Sequence, residues 1–212
     1  FYIYFSLKSD FLGGFMLKKI IFYISTIFLA SGALAYSELK FGVGSINFDS
    51  PGLQGDASQV YVNYNGYTDG NVMYGVGYRF YETDLIDSGF IYPMEVGVLD
   101  GTVGYAFQDI SDGGFYFQAR YSTLSVSVAG VNYDAYVDTT GIYASFGYMK
   151  QSNEGTNWNV QLQYDLDDCD RDCEVLGASV DFPIPDSRWN FGFGFSFQED
   201  TTAISLGPVV KF

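Results

Sequence analysis

The sequence predicts an all-β chain folded as an antiparallel, transmembrane up-and-down β-barrel of about ten strands, within roughly eight to twelve. Three observations predict it. Charged residues make up only 17% of the 212, aromatics 19%, with 25 Gly, 19 Tyr and 20 Phe, whereas an average soluble domain is about a quarter charged. From Ser37 onward the chain is a succession of short runs with period-two alternation, separated by polar, Gly- and Asp-rich clusters. Beyond Ala35 no stretch has the uninterrupted apolar length of a spanning helix, and in lipid the only other way to satisfy the backbone is a closed barrel.

The amino terminus reads as an address. Residues 1–15 are expected to be an upstream extension, because Met16 opens a better start. Leu17, Lys18 and Lys19 give a short positive region, Ile20 to Ala30 an apolar core, and Ala33-Leu34-Ala35 a small-x-small cleavage site. That is the anatomy of a signal peptide over 16–35, with 36–212 as the mature barrel. Without residues 1–35 the chain loses three of the ten basic residues and one of the 25 acidic ones, so the remainder is more acidic than the formal −15 of the whole. Such a charge argues against nucleic-acid binding through phosphate neutralisation.

The strands follow in order. The expected segments are 38–48, 58–65, 71–81, 90–108, 115–128, 141–150, 157–165, 174–182, 188–197 and 202–212, with ends good to about two to four residues. Trp189 to Phe197 is the clearest, with every odd position aromatic and every even one Asn, Gly or Ser. A strand sorts that pattern onto two faces, whereas a helix smears it around its circumference. Two segments carry a change of phase, at Asp100-Gly101 and at Thr123-Leu124. Each reads either as a hairpin that splits the segment or as a β-bulge.

The polar faces carry Asn, Gln, Ser and Gly rather than the Lys and Glu of a solvated strand. The apolar face is therefore expected to meet lipid, with Trp158, Trp189, Tyr148, Tyr164 and Tyr81 as interface girdles. Lys150, on the face of Tyr148, should snorkel to the interface. The alternative is a soluble lipocalin-like binding barrel with that face inside.

The last strand places Ile204, Leu206, Pro208, Val210 and Phe212 on one face and ends at that Phe. In this combination of leader, alternating segments and terminal aromatic, the sequence resembles the bacterial outer-membrane β-barrel proteins, of the small porin-like kind. The resemblance implies an outer-membrane location, contact with membrane lipid and lipopolysaccharide, and Phe212 as a signal read by the barrel assembly machinery. Pro208 lacks an amide donor, so an irregular ladder or a bulge is expected beside it.

Few residues could carry chemistry. The chain has no histidine, which removes Ser-His and Cys-His mechanisms and the usual zinc sites; no enzymatic activity and no cofactor are expected. Cys169 and Cys173 read as a local disulfide in an exported chain. Asp165, Asp167, Asp168, Asp170, Asp172 and Glu174 form a weak calcium candidate: oxygen ligands are plentiful, but the spacing lacks the EF-hand glycine. The simpler reading is a solvated acidic loop.

Arg79, Glu95 and Arg120 are assigned to the lumen. They read as a charged constriction or as an ion-pair network filling a narrow interior, which this strand number favours. With termini in the periplasm, connections near 49–57, 82–89, 129–140, 166–173 and 198–201 are outside. The expected function is a barrel with a side-chain-filled lumen and acidic loops, structural or surface-interacting, with an unidentified surface ligand. The alternative is a narrow porin for small solutes.

Overall fold

The computed structural model describes residues 34–50, 53–87, 90–108, 113–129, 134–152, 154–167 and 174–212. Ten strands follow one another: β1 (Leu34–Ser50), β2 (Leu53–Thr68), β3 (Val72–Asp87), β4 (Phe90–Ala106), β5 (Gly114–Ala129), β6 (Asp134–Gln151), β7 (Asn157–Asp165), β8 (Glu174–Pro183), β9 (Trp189–Gln198) and β10 (Thr201–Lys211). Each strand neighbours its successor, and β1 and β10 close the barrel antiparallel. All ten expected strands are present. Segments 90–108 and 115–128 each form one strand, so neither change of phase is a hairpin.

Strand length divides the barrel into two sectors. β7 to β10 have 9 to 11 residues, the length that crosses a hydrocarbon core when tilted. β1 to β6 have 16 to 18 and so overshoot it by roughly 20 Å at about 3.3 Å per residue. Residues 82–87 and 134–140, expected as loops, are the ends of β3 and β6. Charged and polar side chains there imitate loop composition, while the β3–β4 and β5–β6 pairings keep the backbone extended.

At the end where β1 begins and β10 ends, two turns are tight. Thr68 O accepts from Asn71 N at 3.0 Å, and Asn71 adopts φ +63°, a left-handed value that Asn tolerates. Ser152 O accepts from Gly155 N at 2.9 Å, with Gly155 at φ +84°.

At the closing seam the register is the same on both sides of Pro208: Lys40 pairs with Val209 and Val43 with Leu206. The expected bulge is therefore absent, and the missing donor shows as a gap in the ladder at Phe41–Gly42. There Gly42 and Gly207 bring their backbones together so closely that a Cβ on either would run into the opposite chain.

Candidate functional site

Alternation sends one set of side chains outward along every strand. On β9 these are Trp189, Phe191, Phe193, Phe195 and Phe197; on β7, Trp158, Val160, Leu162 and Tyr164; all are exposed. Phe117 is 49% and Val103 58% accessible on the same outer surface. Inward on β7 point Asn157, Asn159, Gln161 and Gln163, and Gln163 keeps only 4%. A soluble monomer tolerates apolar patches of only a few hundred Å², so a belt around the whole barrel requires hydrocarbon outside, and the soluble alternative is set aside.

The two faces exchange character part-way along β3, β4 and β5. Outward on β5 the chain runs Phe115, Phe117, Ala119 and Tyr121, then Thr123, Ser125 and Ser127. Inward it runs Tyr116, Gln118, Arg120 and Ser122, then Leu124, Val126 and Val128. On β4 the inward series passes from Thr102 and Asp100 to Val98, Val96 and Met94, each paired with the corresponding inward residue of β5. β3 turns from outward Tyr78 and Phe80 to Glu82 and Asp84. Met94, Val96 and Val98 are buried, packed with Tyr81, Leu124, Val126 and Val128. The changes of phase in the sequence mark this inversion, where the wall leaves lipid and becomes an ordinary water-facing sheet with an apolar interior. The architecture is that of a closed ten-stranded antiparallel β-barrel with a lipid-facing belt.

This inversion corrects two assignments. Glu95 is not lumenal: it stands exposed on the outer face of β4, directly across from Glu82 of β3. Its neighbours Val96 and Val98 resemble lipid-facing residues, yet they point inward above the belt. Tyr81, expected in an interface girdle, packs inside the apolar cluster instead. Trp158, Trp189, Tyr148 and Tyr164 are outward and exposed. Phe41 packs edge-on against Trp189 with centroids 6.2 Å apart.

Below the cluster the lumen of the barrel holds two charge networks. Arg79 Nη2 donates to Asp100 Oδ2 at 2.9 Å. The Ser122 hydroxyl donates to Asp100 Oδ1, which also lies 3.6 Å from Arg120 Nε. The Arg120 guanidinium sits 4.7 Å from the centroid of the Tyr143 ring. In the second network Lys40 Nζ lies 2.7 Å from Asp181 Oδ2 and 3.2 Å from Glu38 Oε1. Glu38 also accepts from Tyr36 at 2.9 Å and Asn65 at 3.1 Å. Nearer the termini Met73, Ala106, Tyr116 and Met149 form a second apolar cluster. The Tyr116 hydroxyl lies 2.9 Å from both Asn159 Oδ1 and Gln161 Oε1.

The structure thus brings Arg79 and Arg120 together around Asp100, an acid that the sequence reading missed. Asp100 was hidden because Asp-Gly reads as a turn. Glu38, Lys40 and Asp181 were missed as well, although their alternation with Leu39, Phe41, Val180 and Phe182 carries the signal. Among the described residues, two cavities of about 310 and 280 Å³ lie beside these networks. Both touch Lys40, Arg79 and Asp181. The second runs along a wall of small inward residues, Gly192, Gly194 and Ser205 among them.

The remaining candidates lie at strand ends. Asp165 closes β7 and accepts from Asp167 N at 3.1 Å, and Glu174 opens β8. Asp168, Cys169, Asp170, Asp172 and Cys173 lie outside the described residues. Among the described residues no three acidic or sulfur side chains group as a metal cradle. Phe212 is exposed, and its N–H donates to Ser37 O at 2.9 Å.

No protein-family model matches the chain. It is 27% identical over 143 residues to the uncharacterised protein YaiT of Salmonella typhimurium strain LT2, which covers 65% of this chain and 13% of that protein. The chain therefore spans a small fraction of that relative's length. Among solved structures it is similar to the outer membrane protein OprG from Pseudomonas aeruginosa, with TM-score 0.49, 12% identity, and coverage of 85% of this chain and 97% of that one. It is also similar to the transport unit of the autotransporter AIDA-I from Escherichia coli, with TM-score 0.48, 11% identity and coverage of 90% and 97%. The translocator domain of the autotransporter NalP from Neisseria meningitidis gives 0.48, 11%, and 93% and 94%.

Proposed function

We propose that this chain is an integral protein of the bacterial outer membrane whose lumen is blocked by its own side chains, so that it acts through its outer surface and not as an open diffusion pore. One observation supports this above the others. Met94, Val96, Val98, Leu124, Val126 and Val128 form an apolar cluster inside the wall, at the end away from the termini. A lumen narrowed by such a cluster passes water and ions poorly. The Lys40–Asp181 pair joins β1 to β8 across part of the lumen, and ten strands leave little more room than side chains fill.

Lipopolysaccharide is the natural neighbour of the outward polar surface above the belt. Glu82, Asp84 and Glu95 face out there, so contact with its anionic groups would run through bridging divalent cations. Removal of a leader over 16–35, recognition of Phe212 by the assembly machinery and a Cys169–Cys173 disulfide belong to the same reading. So does the absence of catalysis, in a chain without histidine. Purified barrel in planar bilayers tests it: the expected record is flat, and steady single-channel steps would reject a blocked lumen.

A narrow porin is the second reading. It is favoured by the two cavities meeting at Lys40, Arg79 and Asp181, since together they extend from Arg120 to the small-residue wall of Gly192, Gly194 and Ser205. It predicts conductance steps whose ion selectivity changes in Arg79→Ala.

A further inference from the structure

We infer that the lumen holds a binding site for a small carboxylate anion, with the Arg120 and Arg79 guanidinium groups as its cationic wall and Thr102 as its hydroxyl. Two guanidinium groups share one carboxylate here. Asp100 gives Oδ2 to Arg79 at 2.9 Å and Oδ1 to the Ser122 hydroxyl. Arg120 is left with a 3.6 Å separation from Oδ1, beyond a hydrogen bond. Its Nε is buried without an acceptor, and so is Thr102 Oγ1 without any partner.

These two unsatisfied atoms belong to cross-strand partners, Thr102 of β4 and Arg120 of β5, and both residues line the 310 Å³ cavity. Buried polar atoms in native proteins are almost always paired; both orphans are sealed as the side chains now stand, so they point to a partner that enters the cavity and turns the two side chains toward itself. The Tyr143 ring at 4.7 Å holds the guanidinium in place.

The class of partner follows from charge and shape. Arg79 and Arg120 against Asp100 leave one positive charge, which suits a monoanion. A planar guanidinium presents parallel donors that match a carboxylate, while a dianionic phosphate would meet Asp100 with the same sign. Gln118 and Ser145 on the same cavity add neutral hydrogen-bonding groups. The other charge network offers little competition, because Lys40 is already engaged by both Glu38 and Asp181. Asp165, at the end of β7 and opposite Tyr143 in register, also attracts the Arg120 guanidinium, from outside the cavity lining. The inference does not depend on whether the lumen conducts.

The test is a titration of the ¹⁵N-labelled full chain in detergent micelles, reading the arginine Nε–Hε resonances. Sodium acetate is compared with sodium chloride and sodium phosphate at matched ionic strength. The Arg120 resonance, assigned by its loss in Arg120→Lys, is expected to shift saturably with acetate and not with chloride. In Thr102→Val, which keeps both arginines, the acetate midpoint should rise several-fold. Heat-dependent gel mobility checks that each variant folds. Should Arg120→Lys fail that check, Thr102→Val and the anion comparison still decide the matter. A linear, unsaturating shift, an equal response to chloride, a stronger response to phosphate, or an unchanged midpoint in Thr102→Val would each overturn the inference.

Discussion

Lys40 Nζ on β1 meets Asp181 Oδ2 on β8 at 2.7 Å, joining two strands that β9 and β10 separate in the barrel wall. The lysine therefore works as a strut across the interior. Lys40→Ala would leave Glu38 and Asp181 buried without their counter-charge. Removing one member of a buried pair costs about 3–5 kcal/mol, and the lower part of that range applies because the Lys40 side chain keeps 21% exposure. Urea unfolding in lipid vesicles should shift to a lower midpoint; an unchanged midpoint would show the strut to be idle.

The inversion on β5 predicts opposite outcomes for one substitution at two outward positions. Phe117→Arg puts a charge into the hydrocarbon belt, at a cost of about 2–4 kcal/mol if near the midplane. Ser127→Arg, on the same face but above the belt, should stay within roughly 0.5 kcal/mol of the parent. Refolding into liposomes measures both, and equal penalties would mean that the belt extends past Tyr121.

Val96 and Val126 are directly paired inside the apolar cluster. Trimming both to Ala should cost roughly 2–4 kcal/mol in total, with non-additivity because they touch. If the cluster is what blocks the lumen, planar-bilayer records of the double variant should acquire steps that the parent lacks.

The seam offers a steric contrast. Gly207→Val would drive a side chain into the backbone of Phe41 and Gly42, whereas a methyl at Gly101 meets nothing within 4 Å. Gly207→Val should abolish the heat-modifiable band of the closed barrel, and Gly101→Ala should keep it.

Alternation made ten strands legible because a period of two survives in any half-polar strand, whatever lies on either side. It could not say which side was inside. That choice rested on lipid being outside, which holds for Phe117 and Phe191 but fails for Val96 and Val126, where water lies outside instead. Glu95 was misplaced for that reason. Asp100 and Asp181 were passed over for another: an acid flanked by a glycine or by apolar residues looks like a turn, and only the closed wall shows that each faces a cation. The long ends of β3 and β6 carry so many polar groups that composition pointed to loops where pairing dictates strand.

A cylinder whose sides turn inside out at a fixed height cannot bob freely along the membrane normal. Sinking would drag Thr123, Ser125 and Glu82 into oil, and rising would wet Phe80 and Tyr121. Its depth of immersion is thus engraved on three neighbouring strands, and the hairpins above them stand clear of the bilayer at a height the lipids do not choose.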